Sequence, residues 1–320
     1  MKAVFYRQHG SAEVLEVGDL AMPKPAPEQV LVRVAAAGVN PIDRRLRSGE
    51  LQEYISRTFP VVPGWDFAGE IVALGSAVTS DWQVGDQVMG LAFTWSIQHG
   101  TYAEYVPVDA ASIAKVPTGF DLFQAAALPL VSLTAWQSLH EYGGLTKGQS
   151  ALIQAGAGGV GSVAIPMAKH LGARVYATCS SASTDYVSAR GADVVIDYTQ
   201  QDYAQVLRDL EPEGLDVILE TLLGDGVAET AIGLAKDGGT VIFMNNEPPE
   251  LPEIEARGIR SQFLHHRPDG AMLAELADLY GQEILPAPPV EVLPLAAAVE
   301  AHQRSEDGHT RGKIVLAIGD

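Results

Sequence analysis

The sequence is poor in cysteine and in positive charge. One cysteine, Cys179, stands among 320 residues, which excludes an internal disulfide and a zinc cluster built from several cysteines. Lysine and arginine together number 21 against 40 aspartates and glutamates, giving a net charge of −19. A charge of this sign disfavours binding to nucleic acid and to anionic membranes. We therefore expect neither as a partner.

Long apolar runs are also missing. The most apolar long stretch, residues 125–139, is too short to cross a bilayer and contains Pro129. The first ten residues lack the apolar core of a signal peptide, so we expect a cytoplasmic protein. A hydrophobic content of 47% over this length is enough for two domains with cores of their own.

The most informative segment is the glycine-rich stretch at residues 151–161. An apolar run, 151–153, leads into the pattern Gly156-x-Gly158-x-x-Gly161, which is followed by a helical pattern and a second apolar strand at 173–178. In this context the first glycine permits a tight turn, the second lets a pyrophosphate approach the backbone, and the third allows close packing. The helix N-terminus then offers free N–H groups to phosphates. The segment predicts a dinucleotide site.

The residues after the second strand bear on the choice of cofactor. An NAD site usually carries an acidic residue about twenty positions past the glycine turn, where it binds the ribose 2′-hydroxyl. Here that position falls on Cys179, followed by Ser180 and Ser181. Because no carboxylate stands there and hydroxyls are available, we predict NADPH. NADH stays the alternative, since related enzymes often place a lysine shortly after these serines, where this chain has Ala182 with Asp185 close by. Arg190 is the candidate to replace that lysine.

The pattern of strands and helices predicts two domains. The first 115 or so residues read as short alternating strands between glycine-containing turns. From about Phe120, helical segments alternate with apolar runs at 193–197, 215–220 and 239–244, which is typical of a parallel sheet covered on both faces. A closing strand at 313–317 is expected to return to the first domain. We assign residues 1–119 and 263–320 to one domain and 120–262 to the other.

The chain resembles the medium-chain dehydrogenase/reductase superfamily and, within it, the zinc-free NADPH:quinone oxidoreductases. The motifs that carry the resemblance run along the whole chain: residues 38–43, 47–49, 84–88, 102–105, 125–130, 133–136, the glycine turn, 191–193 and 308–313. The resemblance implies an α/β protein with a GroES-like β-rich catalytic domain, a Rossmann doubly wound parallel sheet inserted into it, and a cleft between the two.

The resemblance also implies that a catalytic zinc is absent. In zinc-dependent members, cysteine, histidine and cysteine hold the metal beside a glutamate. The corresponding positions here are Asn40, Trp65 with Asp66, and Leu130, which are poor or impossible zinc donors. We therefore expect no metal. Without a Lewis acid, hydride transfer to a conjugated acceptor is easier than oxidation of an alcohol.

Candidate site residues follow from the resemblance. For substrate we expect Asn40, Trp65 and Tyr54. For the cofactor we expect Thr134, Gly156, Gly158, Gly159, Val160, Gly161, Ser180, Ser181, Tyr198, Asn245 and Lys313. Five of the non-glycine residues have a plainer alternative: Asn40 as a cap of its own turn, Tyr198 as core filling, Lys313 as a surface lysine, and Thr134 and Val160 as packing.

The functional prediction is an NADPH-dependent reductase of quinones or α,β-unsaturated carbonyls that works without zinc. A 2-alkenal or enoyl-thioester reductase on the same scaffold is one alternative, and a non-catalytic NADPH-binding sensor is another. The resemblance to this family also implies a homodimer. A zinc-dependent alcohol dehydrogenase is disfavoured because its ligands are missing.

Overall fold

The structure, a computed structural model, describes residues 1–79, 81–308 and 310–319. The chain forms two compact units, one of residues 1–133 with 267–320 and one of residues 134–266. None of the described helices is long and apolar enough to span a membrane.

The strands and helices are numbered in chain order. The strands are β1 (Lys2–Phe5), β2 (Glu16–Asp19), β3 (Gln29–Gly38), β4 (Ser56–Arg57), β5 (Asp66–Leu74), β6 (Gln87–Leu91), β7 (Ser96–Ile97), β8 (Tyr105–Asp109), β9 (Ile113–Lys115), β10 (Ser150–Ile153), β11 (Arg174–Cys179), β12 (Val194–Asp197), β13 (Leu215–Glu220), β14 (Ala235–Phe243), β15 (Arg260–Phe263), β16 (Val290–Pro294) and β17 (Lys313–Ala317). The helices are α1 (Pro41–Ser48), α2 (Leu122–Ala126), α3 (Pro129–Trp136), α4 (Gly159–His170), α5 (Thr184–Ala189), α6 (Tyr203–Leu210), α7 (Val227–Leu234), α8 (Pro252–Ala256), α9 (Gly270–Gly281) and α10 (Ala298–Asp307).

The first unit is built on a mixed sheet in the strand order β16-β17-β3-β5-β6-β9, with β8 also pairing with β3. The long strand β3 is buried along most of its length, with Arg33 as its one exposed residue, so both of its faces are largely covered. The closing strand β17 pairs antiparallel with β3, Leu316 opposite Ala37, as we predicted from the sequence.

The second unit is a parallel six-stranded sheet in the order β12-β11-β10-β13-β14-β15. Its central strands β10 and β13 are buried on both faces, and its core is formed by residues such as Leu152, Ile218 and Phe243, which confirms the predicted doubly wound sheet. The chain leaves β10 towards β11 and β12 and later returns to its other side with β13. The strand order therefore reverses at the carboxyl end of β10, where ligands bind in open α/β sheets.

Two features of the fold differ from the sequence-based expectation. Residues 120–133, which we assigned to the second domain, belong to the first unit, where α2 packs against β3 and β5. The second boundary lies at 266 rather than 262. In addition, the turn at Asn40 that we considered in the sequence is the start of a helix: Asn40 is the N-cap of α1 and Pro41 is its first residue, a position where proline has no N–H to lose.

Candidate functional site

The glycine turn has the geometry that a phosphate group requires. Strand β10 ends at Ile153 and α4 begins at Gly159, with Gly158 as its extended N-cap. A Cβ atom added to Gly158 would meet only the Ala155 carbonyl oxygen, at 3.3 Å, so the space beside its backbone is open. The first N–H groups of a helix have no intrahelical acceptor and carry the positive end of its dipole. The turn therefore fits a dinucleotide pyrophosphate.

Gly161 serves a different purpose in the same turn. A Cβ atom on Gly161 would lie 2.4 Å from the Ala155 carbonyl oxygen and 2.7 Å from the Gly156 Cα. Such distances are shorter than any real carbon contact, so Gly161 is needed for packing of the helix onto the turn. Gly156 is also buried, and a Cβ there would meet three side chains at 3.2 Å. Only Gly158 among these three leaves its space open.

One of the two serines after β11, Ser181, is hydrogen-bonded to a carboxylate on the next strand. The Ser181 hydroxyl donates to the Asp197 carboxylate at the end of β12, and the Thr199 hydroxyl donates to the other oxygen of Asp197 at 2.7 Å. The Ser181 hydrogen bond is the largest of the interactions that hold the pKa of Asp197 below its usual range. No carboxylate stands at positions 179–181 themselves, as we noted from the sequence, but the neighbouring strand β12 supplies one to Ser181.

Arg190, considered as a partner for a 2′-phosphate, has its Nε bound to the backbone of α4. Its side chain is buried, and its Nε donates to the Ser162 carbonyl oxygen in α4 at 2.7 Å. The guanidinium group thus ties the end of α5 to the glycine-turn helix. Tyr198, by contrast, is 54% exposed at the end of β12, so the alternative in which it fills the core does not hold.

A polar cluster lies at the carboxyl ends of β13 and β14. The amide of Asn245 donates to the Thr221 carbonyl oxygen at 2.7 Å, and that of Asn246 donates to the Leu222 carbonyl oxygen at 3.1 Å. From β10, the Gln154 side-chain oxygen accepts the Thr221 N–H at 3.2 Å. These bonds fix the segment after β13 beside the glycine turn. Of the other predicted cofactor residues in this unit, Thr134 is buried and Val160 is half-buried in the first turn of α4.

Glu220, which the sequence analysis overlooked, is a buried carboxyl group in this cluster. It ends β13, is fully buried, and accepts the Leu222 N–H at 2.6 Å. Burial raises its pKa to about 7, against the opposing effects of the Leu222 N–H and the Asn246 amide. Its position in an apolar strand, Leu-Asp-Val-Ile-Leu-Glu, was the available signal, because a carboxylate at such a strand end faces the ligand edge of the sheet.

We expect Glu220→Gln to remove a pH dependence of stability. With the folded pKa raised from 4.5 to about 7, the folded state keeps a proton that the unfolded chain releases. The wild-type protein therefore loses stability as the pH rises from about 5 to about 8. In thermal melts across this pH range, the melting temperature of Glu220→Gln should fall less than that of the wild type. The exposed Glu229→Gln on α7 is the control, and parallel curves for Glu220→Gln and wild type would contradict the assignment.

In the first unit, Asn40, Asp66 and Lys313 form a buried polar cluster. The Lys313 ammonium donates to the Asn40 side-chain oxygen, to the Val39 carbonyl oxygen at 3.1 Å and to Asp66 at 3.2 Å. The Asn40 amide donates to the same Asp66 oxygen at 2.8 Å, and the Leu130 N–H donates to the other at 2.7 Å. Lys313 is only 3% exposed and Asp66 is fully buried.

This cluster changes the interpretation of two predicted residues. Lys313, expected to bind the cofactor, is held by Asn40 and Asp66 within the first unit, and its burial excludes the alternative of an ordinary surface lysine. Asn40 is the N-cap residue of α1 and forms a capping box with Asp43, and its side chain is also bound to Lys313 and Asp66. One Nδ2 proton of Asn40 is left over from these bonds.

Asp43 holds the backbone of the cluster residue Asn40 in place. It is fully buried in α1, where it accepts the Asn40 N–H at 2.9 Å and the Tyr102 hydroxyl at 3.1 Å. Burial raises its pKa to about 7, while the Asn40 hydrogen bond and Lys313 work against that rise. Asp43 therefore fixes the backbone of Asn40.

The two aromatic candidates for the substrate pocket lie in different surroundings. Trp65 is 2% exposed and packs edge-on against Phe93, with ring centroids 4.8 Å apart. Tyr54 is 74% exposed in the turn after α1. The structure therefore brings Asn40, Asp66 and Lys313 together, gives Trp65 a packed aromatic partner, and leaves the Tyr54 ring in solvent.

Two family models match the chain. An alcohol dehydrogenase GroES-like domain matches residues 26–118, and a zinc-binding dehydrogenase domain matches residues 190–316. A curated relative, the chloroplastic NADPH-dependent alkenal/one oxidoreductase of Arabidopsis thaliana, is 32% identical over 99% of this chain and 79% of its own length.

Solved structures with the same fold extend the comparison. The quinone oxidoreductase from Coxiella burnetii superposes with a TM-score of 0.87 at 32% identity, covering 100% of this chain and 99% of that one. A mycobacterial protein solved in complex with NADPH gives a TM-score of 0.88 at 30% identity, with 99% of both chains covered. Both agree with the fold built above from the two units.

Proposed function

The chain belongs to the medium-chain dehydrogenase/reductase superfamily, and from this premise we propose that it is an NADPH-dependent reductase of quinones or α,β-unsaturated carbonyls that works without zinc. Bound NADPH would supply the hydride, and the acceptor would gain that hydride and a proton. Two similar proteins, an alkenal/one oxidoreductase and a quinone oxidoreductase, support this substrate range.

The observation that carries the zinc-free part is the position of Lys313. At the residues that correspond to zinc ligands, the side-chain oxygens of Asn40 and Asp66 both accept hydrogen bonds from the Lys313 ammonium. A cation is thus already supplied by the chain, and Trp65 and Leu130 add no donor that suits zinc. These residues do not fit a catalytic metal.

The glycine turn and its neighbours would hold NADPH. Gly158 leaves room for the pyrophosphate, and the N-terminus of α4 directs N–H groups towards that space. Asn245 and Gln154 keep the segment after β13 in place beside the turn. These residues bind and orient, and proximity is the main contribution that such a site makes to a transfer between two bound molecules.

Asn40 is the residue that we assign to the acceptor carbonyl. Lys313 binds its side-chain oxygen, which fixes the orientation of the amide and leaves one Nδ2 proton for donation. Such a donor would stabilise negative charge that develops on the acceptor oxygen. Trp65 and Tyr54 stay predictions as pocket residues, and protonation of the product would come from water.

The test is NADPH consumption by the purified protein, followed by the loss of its near-ultraviolet absorbance. The acceptors are benzoquinone, phenanthrenequinone, an alkenal and a saturated ketone, each with and without a metal chelator. We expect chelator-insensitive turnover of the quinones or the alkenal and none of the ketone. Turnover that a chelator abolishes and zinc restores would contradict the proposal, and NADPH binding without any turnover would favour the sensor.

The homodimer and the cytoplasmic location stay predictions. The edge strand β15 of the parallel sheet is half-buried over Ser261–Phe263, and unpaired edges of this kind are places where a second copy can add strands. Light scattering on the purified protein would show whether the chain is a dimer in solution.

A further inference from the structure

The acid that is missing from β11 is present on the strand beside it. In NAD enzymes the ribose 2′-hydroxyl is bound by an acidic residue at the end of the second strand, where this chain has Cys179. Strands β11 and β12 pair in parallel, and their register places Asp197 directly opposite Cys179. Asp197 is close enough to contribute, after burial, to the raised pKa of the Cys179 thiol. A carboxylate therefore stands one strand away from the usual position.

The hydrogen-bond polarity of the site favours a hydroxyl over a phosphate. Ser181 gives its hydroxyl proton to Asp197, and Thr199 gives both its N–H, at 2.9 Å, and its hydroxyl proton to the same carboxylate. The Ser181 N–H is a fourth donor to Asp197, so the acceptor positions of this carboxylate are occupied, and the lone pairs that remain are those of the Ser181 hydroxyl oxygen beside the negative charge. A ribose 2′-hydroxyl can donate to such an acceptor, whereas a 2′-phosphate dianion is itself an acceptor and would face a negative charge.

No basic side chain offsets this charge in the segment after β11. Residues 180–189 contain neither lysine nor arginine, and Asp185 within them is exposed. Arg190 is buried with its Nε on the Ser162 carbonyl oxygen. A 2′-phosphate at this place would therefore be bound by hydroxyl and amide groups against the field of Asp197.

We propose that Asp197 and Ser181 form a subsite for the ribose 2′-hydroxyl, so that the protein binds NADH as well as NADPH and Asp197 sets the ratio between them. This inference rests on the proposed function, since it concerns the same dinucleotide site. It assigns cofactor specificity to a residue on β12 rather than on β11.

The test compares the dissociation constants of NADPH and NADH, measured by the change in nicotinamide fluorescence on binding to the full chain. The variant is Asp197→Asn, in which the amide oxygen still accepts the Thr199 N–H. Its Nδ2 donates to Ser181 and thereby releases the serine proton for an anionic ligand. We expect the preference for NADPH over NADH to rise roughly tenfold, because a repulsion between like charges a few ångströms apart is lost.

The matched control is Asp185→Asn, which removes the same charge from an exposed position nearby and should shift the ratio less. Added salt should shrink the Asp197→Asn effect, since exposed charges are screened. Circular dichroism checks that each variant is folded. Asp197→Ser is a second variant that removes the charge of Asp197. Binding of 2′-AMP in competition gives a readout that involves no hydride transfer.

Two results would overturn the inference. One is wild-type binding of NADPH more than about a hundredfold tighter than NADH, and the other is an NADPH-to-NADH ratio that Asp197→Asn and Asp197→Ser leave unchanged. Failure of the wild type to bind either dinucleotide would overturn both this inference and the proposed function. Binding of NADPH and turnover of an enone, with no effect of Asp197, would overturn the inference alone.

Discussion

Gly158→Val should abolish NADPH binding while the fold survives. The space beside Gly158 holds only the Ala155 carbonyl oxygen, at 3.3 Å, and the residue has an extended backbone with φ −74° and ψ 179° that valine also adopts. The valine side chain would occupy the space that the pyrophosphate needs. Loss of two charge-assisted hydrogen bonds of about 1.5–3 kcal/mol each weakens binding by about a hundredfold or more.

The measurements are a fluorescence titration with NADPH and a thermal melt of the protein without cofactor. We expect a folded protein with a melting temperature lowered by a few degrees, since valine adopts this backbone conformation but is a poorer N-cap than glycine. Gly161→Ala is the matched contrast, because its Cβ would lie 2.4 Å from the Ala155 carbonyl oxygen and should lower the melting temperature further. If Gly158→Val bound NADPH within a few-fold of the wild-type affinity, the assignment of the glycine turn to pyrophosphate binding would be wrong.

The glycine turn could be predicted from the sequence because every signal in it is local. The apolar run of β10, the glycine spacing and the helical pattern of α4 lie within about twenty residues, and together they predict one supersecondary unit. The same holds for the apolar strands β13 and β14. Helix α1 was missed because Asn40-Pro41 indicates a turn as readily as a helix start.

The polar partners could not be predicted in this way, because they depend on strand register. Asp197 meets Ser181 only because β11 and β12 pair with Cys179 opposite Asp197. Lys313 meets Asn40 across 273 positions of sequence, through the pairing of β17 with β3. A one-residue shift in either pairing would turn these side chains to the other face. The residue types at each end were visible in the sequence, but their contact was not.

Lys313→Met should cause the largest loss of stability among the variants considered, because it leaves a buried carboxylate without its cation. Asp66 is fully buried and Lys313 is 3% exposed. Burial already raises the pKa of Asp66, and Lys313 is the main influence that lowers it. Removing one partner of a buried pair typically costs about 3–5 kcal/mol. Denaturant unfolding followed by circular dichroism measures this loss.

Three comparisons separate the pair from a general effect of substitution. The double variant Asp66→Asn with Lys313→Met should be more stable than Lys313→Met alone, because it leaves no buried charge. Lys115→Met breaks an exposed contact with Asp86 at 4.0 Å and should cost at most about 1 kcal/mol. Without Lys313, the folded pKa of Asp66 rises further above 3.8, so Lys313→Met should lose additional stability as the pH rises. Equal losses in the single and double variants, with no such pH dependence, would show that Lys313 contributes packing rather than charge.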